Sequence, residues 1–237
     1  MSRRVAAVVV TLASIVGLAV ADDGSTPDLE GVLGPRARAL PAPAATLRLV
    51  WLDPAGVAIG VGGLARDEAR SLLARMGASV SWRRGSPREP ARPDEVRVIL
   101  VDRAALDPHG RPILGATPPR FDVAPFVWVH VPSVRAVIGL SPSGSRSADD
   151  LVSERQLAIA LGRVVAHEVV HALAPSVPHG TGLMSAAFTP RQLTAAALRS
   201  DPEVGLAVRA ALRGEPSLPP AATGVVAATA AGKELVP

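Results

Sequence analysis

The sequence predicts an α+β fold, on three observations. Four short runs rich in β-branched or alternating apolar residues read as strands, at 47–52, 78–83, 95–101 and 126–131. One long apolar-striped run, capped by Ser147 with Asp150 and ending at Ala174 before Pro175, reads as a helix. The helix-start signals Thr189-Pro190 and Asp201-Pro202 then mark short helices. The order is therefore strand, helix, three strands, long helix, loop and short helices, with a helical C-terminal part.

Along the chain, residues 1–21 have the three parts of a secretory signal. Arg3 and Arg4 precede a mostly apolar, uncharged run from Val5 to Val20, and Ala19-Val20-Ala21 supplies small residues at a cleavage site. A run of that length falls short of the roughly 20 residues that span a bilayer, so cleavage and a secreted or extracytoplasmic location are expected rather than a membrane anchor. Residues 22–45, rich in Pro, Gly and Ala, read as a flexible linker.

The expected folded domain is 46–213. Its first strand, 47–52, ends in the turn Asp53-Pro54-Ala55-Gly56. Residues 66–76 read as a helix with Ala69, Leu72, Leu73 and Met76 on one face and Gly77 as its stop. The second strand carries Val80 and Trp82, and a Pro- and Arg-rich loop leads to the third, where Val96, Val98 and Leu100 alternate. Residues 102–126 read as irregular chain. The fourth strand meets Pro132, which places it at a sheet edge or ends it. Leu157, Leu161, Val164 and Val165 form the core stripe of the long helix, and 214–237 reads as a disordered tail.

Composition excludes several chemistries. The 237 residues contain no Cys, which removes disulfides, thiolate metal sites, thiol catalysis and lipid attachment through Cys. Basic residues number 25 against 21 acidic, and only Lys233 is a lysine, so a sequence pI near 11.0 reflects arginine rather than a large charge excess. Nucleic acid is not expected as a partner. Trp51, Trp82 and Trp128 read as core residues, His109 as a solvated turn residue, and the arginines of 83–92 as surface charges.

The chemistry sits in 166–188. His167, Glu168 and His171 form H-E-x-x-H on the long helix, where residues four apart share a face and two imidazoles can reach one ion. Glu168 stands beside them as a candidate general base. Three of the five histidines fall between 167 and 179, and no Asp or Glu occurs between Ala172 and Ser200, so His179 is the candidate third ligand. Pro175 and Pro178 break the helix and fold the chain back. Gly180-Thr181-Gly182-Leu183-Met184 follows as a turn with Met184 as a candidate apolar floor.

These residues resemble the metzincin clan of zinc metalloproteases, which combines H-E-x-x-H-x-x-G-x-x-H with a later Met-turn. The resemblance implies a small mixed twisted sheet packed on an active-site helix. It assigns His167, His171 and His179 as Zn2+ ligands, Glu168 as general base and Met184 as the Met-turn residue. The implied activity is that of a zinc metalloendopeptidase acting on a peptide or protein substrate, as a monomer. By analogy an extended substrate adds to the edge of strand 126–131, where His130 is a candidate cleft residue. The third His comes eight residues after the second rather than six, and Pro175 stands near the expected Gly. The pattern is similar to that of predicted secreted bacterial proteins with H-E-x-x-H…H…G-[IL]-M. With no Tyr in the chain, an Arg, His130, a backbone N–H or zinc must stabilise the transition-state oxygen. Two alternatives are a non-catalytic zinc-binding module and an arginine-rich protein that binds polyanions.

Overall fold

The computed structural model describes residues 46–118, 124–141, 150–215 and 225–228. The expected signal and linker, and Ser147, lie outside the described residues.

The chain opens with β1 (Thr46–Leu52), crosses through α1 (Gly62–Arg75) and returns as β2 (Ser79–Arg84), parallel to β1. β3 (Glu95–Val101) lies on the other side of β1, and β6 (Phe126–His130) beyond it, both parallel. Between them in sequence come β4 (Ala105–Leu106) and β5 (Pro112–Ala116), antiparallel to each other. Then follow α2 (Val131–Val137), α3 (Asp150–Leu173), a 3-10 turn at Gly182–Met184, β7 (Ala187–Phe188), α4 (Pro190–Thr194), α5 (Pro202–Leu212) and β8 (Val225–Ala228). The sheet runs β2-β1-β3-β6-β5-β8-β7, with β4 paired to β5. β5 is antiparallel to both neighbours, whereas β8 and β7 run parallel to each other.

The alternation read in the sequence decides which face meets the helices. Leu47, Leu49 and Trp51 of β1, Val96, Val98 and Leu100 of β3, and Val127 and Val129 of β6 join one core with α1 and α3. Val50 and Leu52 point the other way, yet are 1% and 3% exposed because the chain at Gly85 lies over them. α3 is apolar nearly all round and buried from Leu157 to Val170 apart from Ile159, which accounts for its being long and apolar enough to cross a membrane. Gly162 lets α1 approach it, since a Cβ there would lie 2.6 Å from the Ala65 carbonyl oxygen.

Several boundaries differ from expectation. α1 starts at Gly62 rather than Arg66, and Gly62 lies against the Trp51 ring. Gly77, at φ +91°, ends the chain's first helical segment as read. The stretch 102–126 is not irregular throughout, because it contains β4 and β5. The fourth strand is not an edge: β6 pairs with β3 on one side and β5 on the other. Pro132 ends it by opening α2, where a missing N–H costs nothing. Trp128 is 38% exposed rather than core. The tail is not wholly without structure: Val225 and Val226 supply a β-branched pair to β8.

Candidate metal centre

α3 carries His167, Glu168 and His171 into the interior, where they are 0%, 0% and 5% exposed. The helix ends at Leu173, a turn closed by the Val177 N–H on the Ala174 carbonyl follows, and the chain folds back to bring in His179. One ring nitrogen of each imidazole lies within 4.8 Å of the others, and His171 Nε2 is 3.2 Å from His179 Nε2. The His167 and His179 rings stack at 5.4 Å, and His171 meets each of them edge-on at 4.8 Å. His179 is exposed, so the cluster opens to solvent on its side.

The second nitrogen of His167 shows how the site is tuned. Nδ1 lies 2.7 Å from the Leu183 carbonyl oxygen, to which it donates in the neutral ring, and this leaves the Nε2 lone pair bare. His167 Nε2 is buried and has no hydrogen-bond partner among the described residues. A buried polar atom without a partner is costly unless something fills the position. Burial and the neighbouring imidazoles hold His167 well below the usual histidine range. Burial, then His179, lowers His171 to about 4, and burial lowers His179. All three are therefore neutral donors at pH 7, the form that ligates a cation. The residues fit a metal ion.

The turn that supplies the Leu183 carbonyl depends on Gly182. Its φ is +60°, and a Cβ would meet the Arg199 carbonyl oxygen at 2.2 Å. That carbonyl accepts from the Leu183 N–H (2.9 Å), while the Gly180 N–H donates to Met184 (2.7 Å). Met184 is 2% exposed within this turn, just beyond His179.

Glu168 is fully buried, and its two oxygens have different surroundings. Oε2 is 2.7 Å from Thr117 Oγ1, which also lies 2.9 Å from the Glu168 carbonyl oxygen. Oε1 has no partner. Burial raises the carboxyl to about 8 against the opposing Thr117 hydrogen bond, so the ion-free site holds a proton at neutral pH. One hydroxyl serves both states. It donates to Oε2 when Glu168 is ionised, and can turn to the carbonyl and accept from Oε2 when Glu168 is protonated.

The structure brings together His167, His171 and His179, with Glu168 next to His167 on the same helix and Met184 in the adjoining turn. His130 is set apart from this described cluster, its Nδ1 being 3.0 Å from the Arg103 carbonyl oxygen. Three neighbours were not read from the sequence. Gly115 of β5 lies over Glu168, where a Cβ would be 2.7 Å from Cγ and 2.9 Å from Oε1. Thr117 follows two residues later. Phe188 of β7 presents its ring edge-on to His167 at 5.6 Å. A Thr among prolines and a Gly in an apolar run carry no local sign of such contacts.

Comparison of the chain with protein-family models, with curated proteins and with solved structures gives no match.

Proposed function

We propose that the chain is a secreted zinc metalloendopeptidase that hydrolyses peptide bonds, with His167, His171 and His179 as ligands and Glu168 as general base. The observation that carries this reading is the buried His167 Nε2, without a hydrogen-bond partner among the described residues and grouped with two further imidazoles, on the helix that also buries Glu168. Neutral nitrogen donors with no thiolate suit zinc, and three protein ligands leave a tetrahedral position open for chemistry. Zinc, when bound, supplies Lewis acidity that lowers the pKa of water and polarises a carbonyl.

The protein's own part is proton handling and positioning. Glu168 Oε1 takes a proton from the attacking water and returns it to the leaving amine, while Thr117 holds Oε2 still. A cation among the imidazoles favours the ionised carboxylate, so metal loading makes Glu168 a base. The secretory reading of 1–21 supports an extracytoplasmic site of action.

Metal analysis of purified protein, coupled to cleavage of a peptide library with and without chelator, tests the reading. We expect about one zinc per chain and chelator-sensitive cleavage. Glu168→Gln should keep its zinc and lose roughly 10²–10⁴-fold in kcat. An equally active Glu168→Gln protein refutes the assignment, whereas zinc bound with no cleavage of any peptide leaves the non-catalytic module. His179→Ala should lower the zinc content, and full occupancy in that variant removes His179 from the site.

A further inference from the structure

The strand order places β8 in a slot. β5 lies on one side of it and β7 on the other, and neither pairs with the other directly. With β8 lifted out, β5 and β7 stand about 9.6 Å apart, twice the usual strand spacing, which admits one extended chain. Both walls touch the metal centre. β5 contributes Gly115, whose missing side chain makes room for Glu168, and β7 contributes Phe188 against the His167 ring.

The register fixes where an occupant lies. Ile113, Gly115 and Ala116 pair with Ala227, Val226 and Val225, antiparallel, and Ala187 and Phe188 pair with Ala227 and Ala228, parallel. Gly115 and Val226 are thus opposite each other. The backbone at Val226 passes beside the strand position beneath which Glu168 Oε1 has no partner. A four-residue strand held by main-chain bonds on both edges is the arrangement by which sheets bind extended peptides.

We infer that the chain's own Val225–Ala228 segment, seated between β5 and β7, is a tethered strand that competes with an extended peptide for this slot. The inference deepens the peptidase reading by naming a regulation of its site, and rests on that reading only for what happens after a peptide binds. The sequence Val-Val-Ala-Ala further indicates the class: uncharged segments of small and β-branched residues that extend readily. Because β8 is covalently attached, its effective concentration at the slot is of millimolar order, so free peptides enter only when it leaves.

The test uses the full chain carrying Glu168→Gln, in which bound peptide is not turned over. The probe is a fluorescein-labelled peptide with the sequence of residues 223–230. Val225→Pro with Val226→Pro removes two N–H groups and prevents β8 from pairing. The double variant should bind the peptide on the order of tenfold tighter than its parent. Its amides at 113–116 should exchange faster, and added peptide should slow them again. A second variant guards against misfolding. Ala116→Cys with Val225→Cys, at partnered positions in a chain with no other Cys, locks β8 in place when oxidised. The oxidised form should refuse the peptide and the reduced form should accept it. Equal peptide binding with β8 locked or freed, or renewed protection outside 113–116, overturns the inference and makes β8 a fixed strand of the sheet. These are binding measurements, so absence of hydrolysis in the Glu168-intact protein counts against the peptidase reading and not against the slot.

Discussion

Thr117 and Glu168 illustrate how one contact divides the work of a carboxyl group. The hydroxyl fixes Oε2 at 2.7 Å and leaves Oε1 as the atom free to exchange a proton. Thr117→Val keeps the shape but withdraws the donor from a buried oxygen. We expect about a tenfold loss in kcat with little change in KM and unchanged zinc content, and recovery in Thr117→Ser. A Thr117→Ser protein as impaired as Thr117→Val would assign the residue to packing instead. Arg163 is the other decisive side chain, 1% exposed and one helical turn before His167. Its Nε meets Glu68 at 3.1 Å, and Nη1 and Nη2 donate to the carbonyls of Gln192 and Ala195 at 2.5 and 2.6 Å. It therefore ties the histidine-bearing helix α3 to α1 and to the end of α4. Arg163→Ala strands two carbonyls and a carboxylate and should cost about 3 kcal/mol, read by urea denaturation. A change under about 0.5 kcal/mol would show that the ties are not needed.

At the scale of elements, what was legible followed from local periodicity and what was missed required a distant partner. His167 and His171 share a face because a helix repeats every 3.6 residues, and no tertiary information is needed to see it. The helix starts at Thr189-Pro190 and Asp201-Pro202 were equally local, and the structure closes them with a Thr189–Gln192 capping box and an Asp201 cap on the Glu203 N–H. β5 was hidden because Pro-Ile-Leu-Gly-Ala begins with a proline and contains a glycine, both weak strand formers. The glycine is there for Glu168, a residue more than fifty positions away. β6 looked like an edge because of Pro132, yet the proline falls in the first turn of α2 and withdraws no bond from the ladder. β8 was read as tail because four apolar residues among alanines and glycines fold only when both sides of the slot are supplied. The site followed the same division: its imidazoles were visible, while the strand above Glu168 and the wall beside His167 were not.

Over the whole molecule, the arginine excess has a structural side that composition conceals. On the sheet face away from α1 and α3, Arg83 makes a two-point contact with Glu95, 2.9 Å at Oε1 and 2.7 Å at Oε2, and reaches Glu89 at 2.8 Å. Glu95 is 3% exposed, so this member of the Arg-rich stretch acts as an internal partner to a carboxylate rather than as a free surface charge. The hydrogen bonds from Arg83 hold Glu95 and Glu89 below the usual carboxylate range. A carboxyl with a depressed folded pKa stabilises the protein above its unfolded value near 4.3 and loses that contribution as pH falls through the folded value. The imidazoles act in a different window. Their depressed values make the ion-free protein lose stability as pH falls from about 6.5 toward 4, because the unfolded chain takes up protons first. The two effects separate in chelated protein by comparing the parent with Glu95→Gln. The melting-temperature gap between them should be constant from about pH 5 to 8 and close progressively below about pH 4.3, once both states of the parent carry a protonated Glu95. A gap unchanged at about pH 3 would mean that Glu95 stabilises the sheet through its shape alone and that the Arg83 charge contributes nothing.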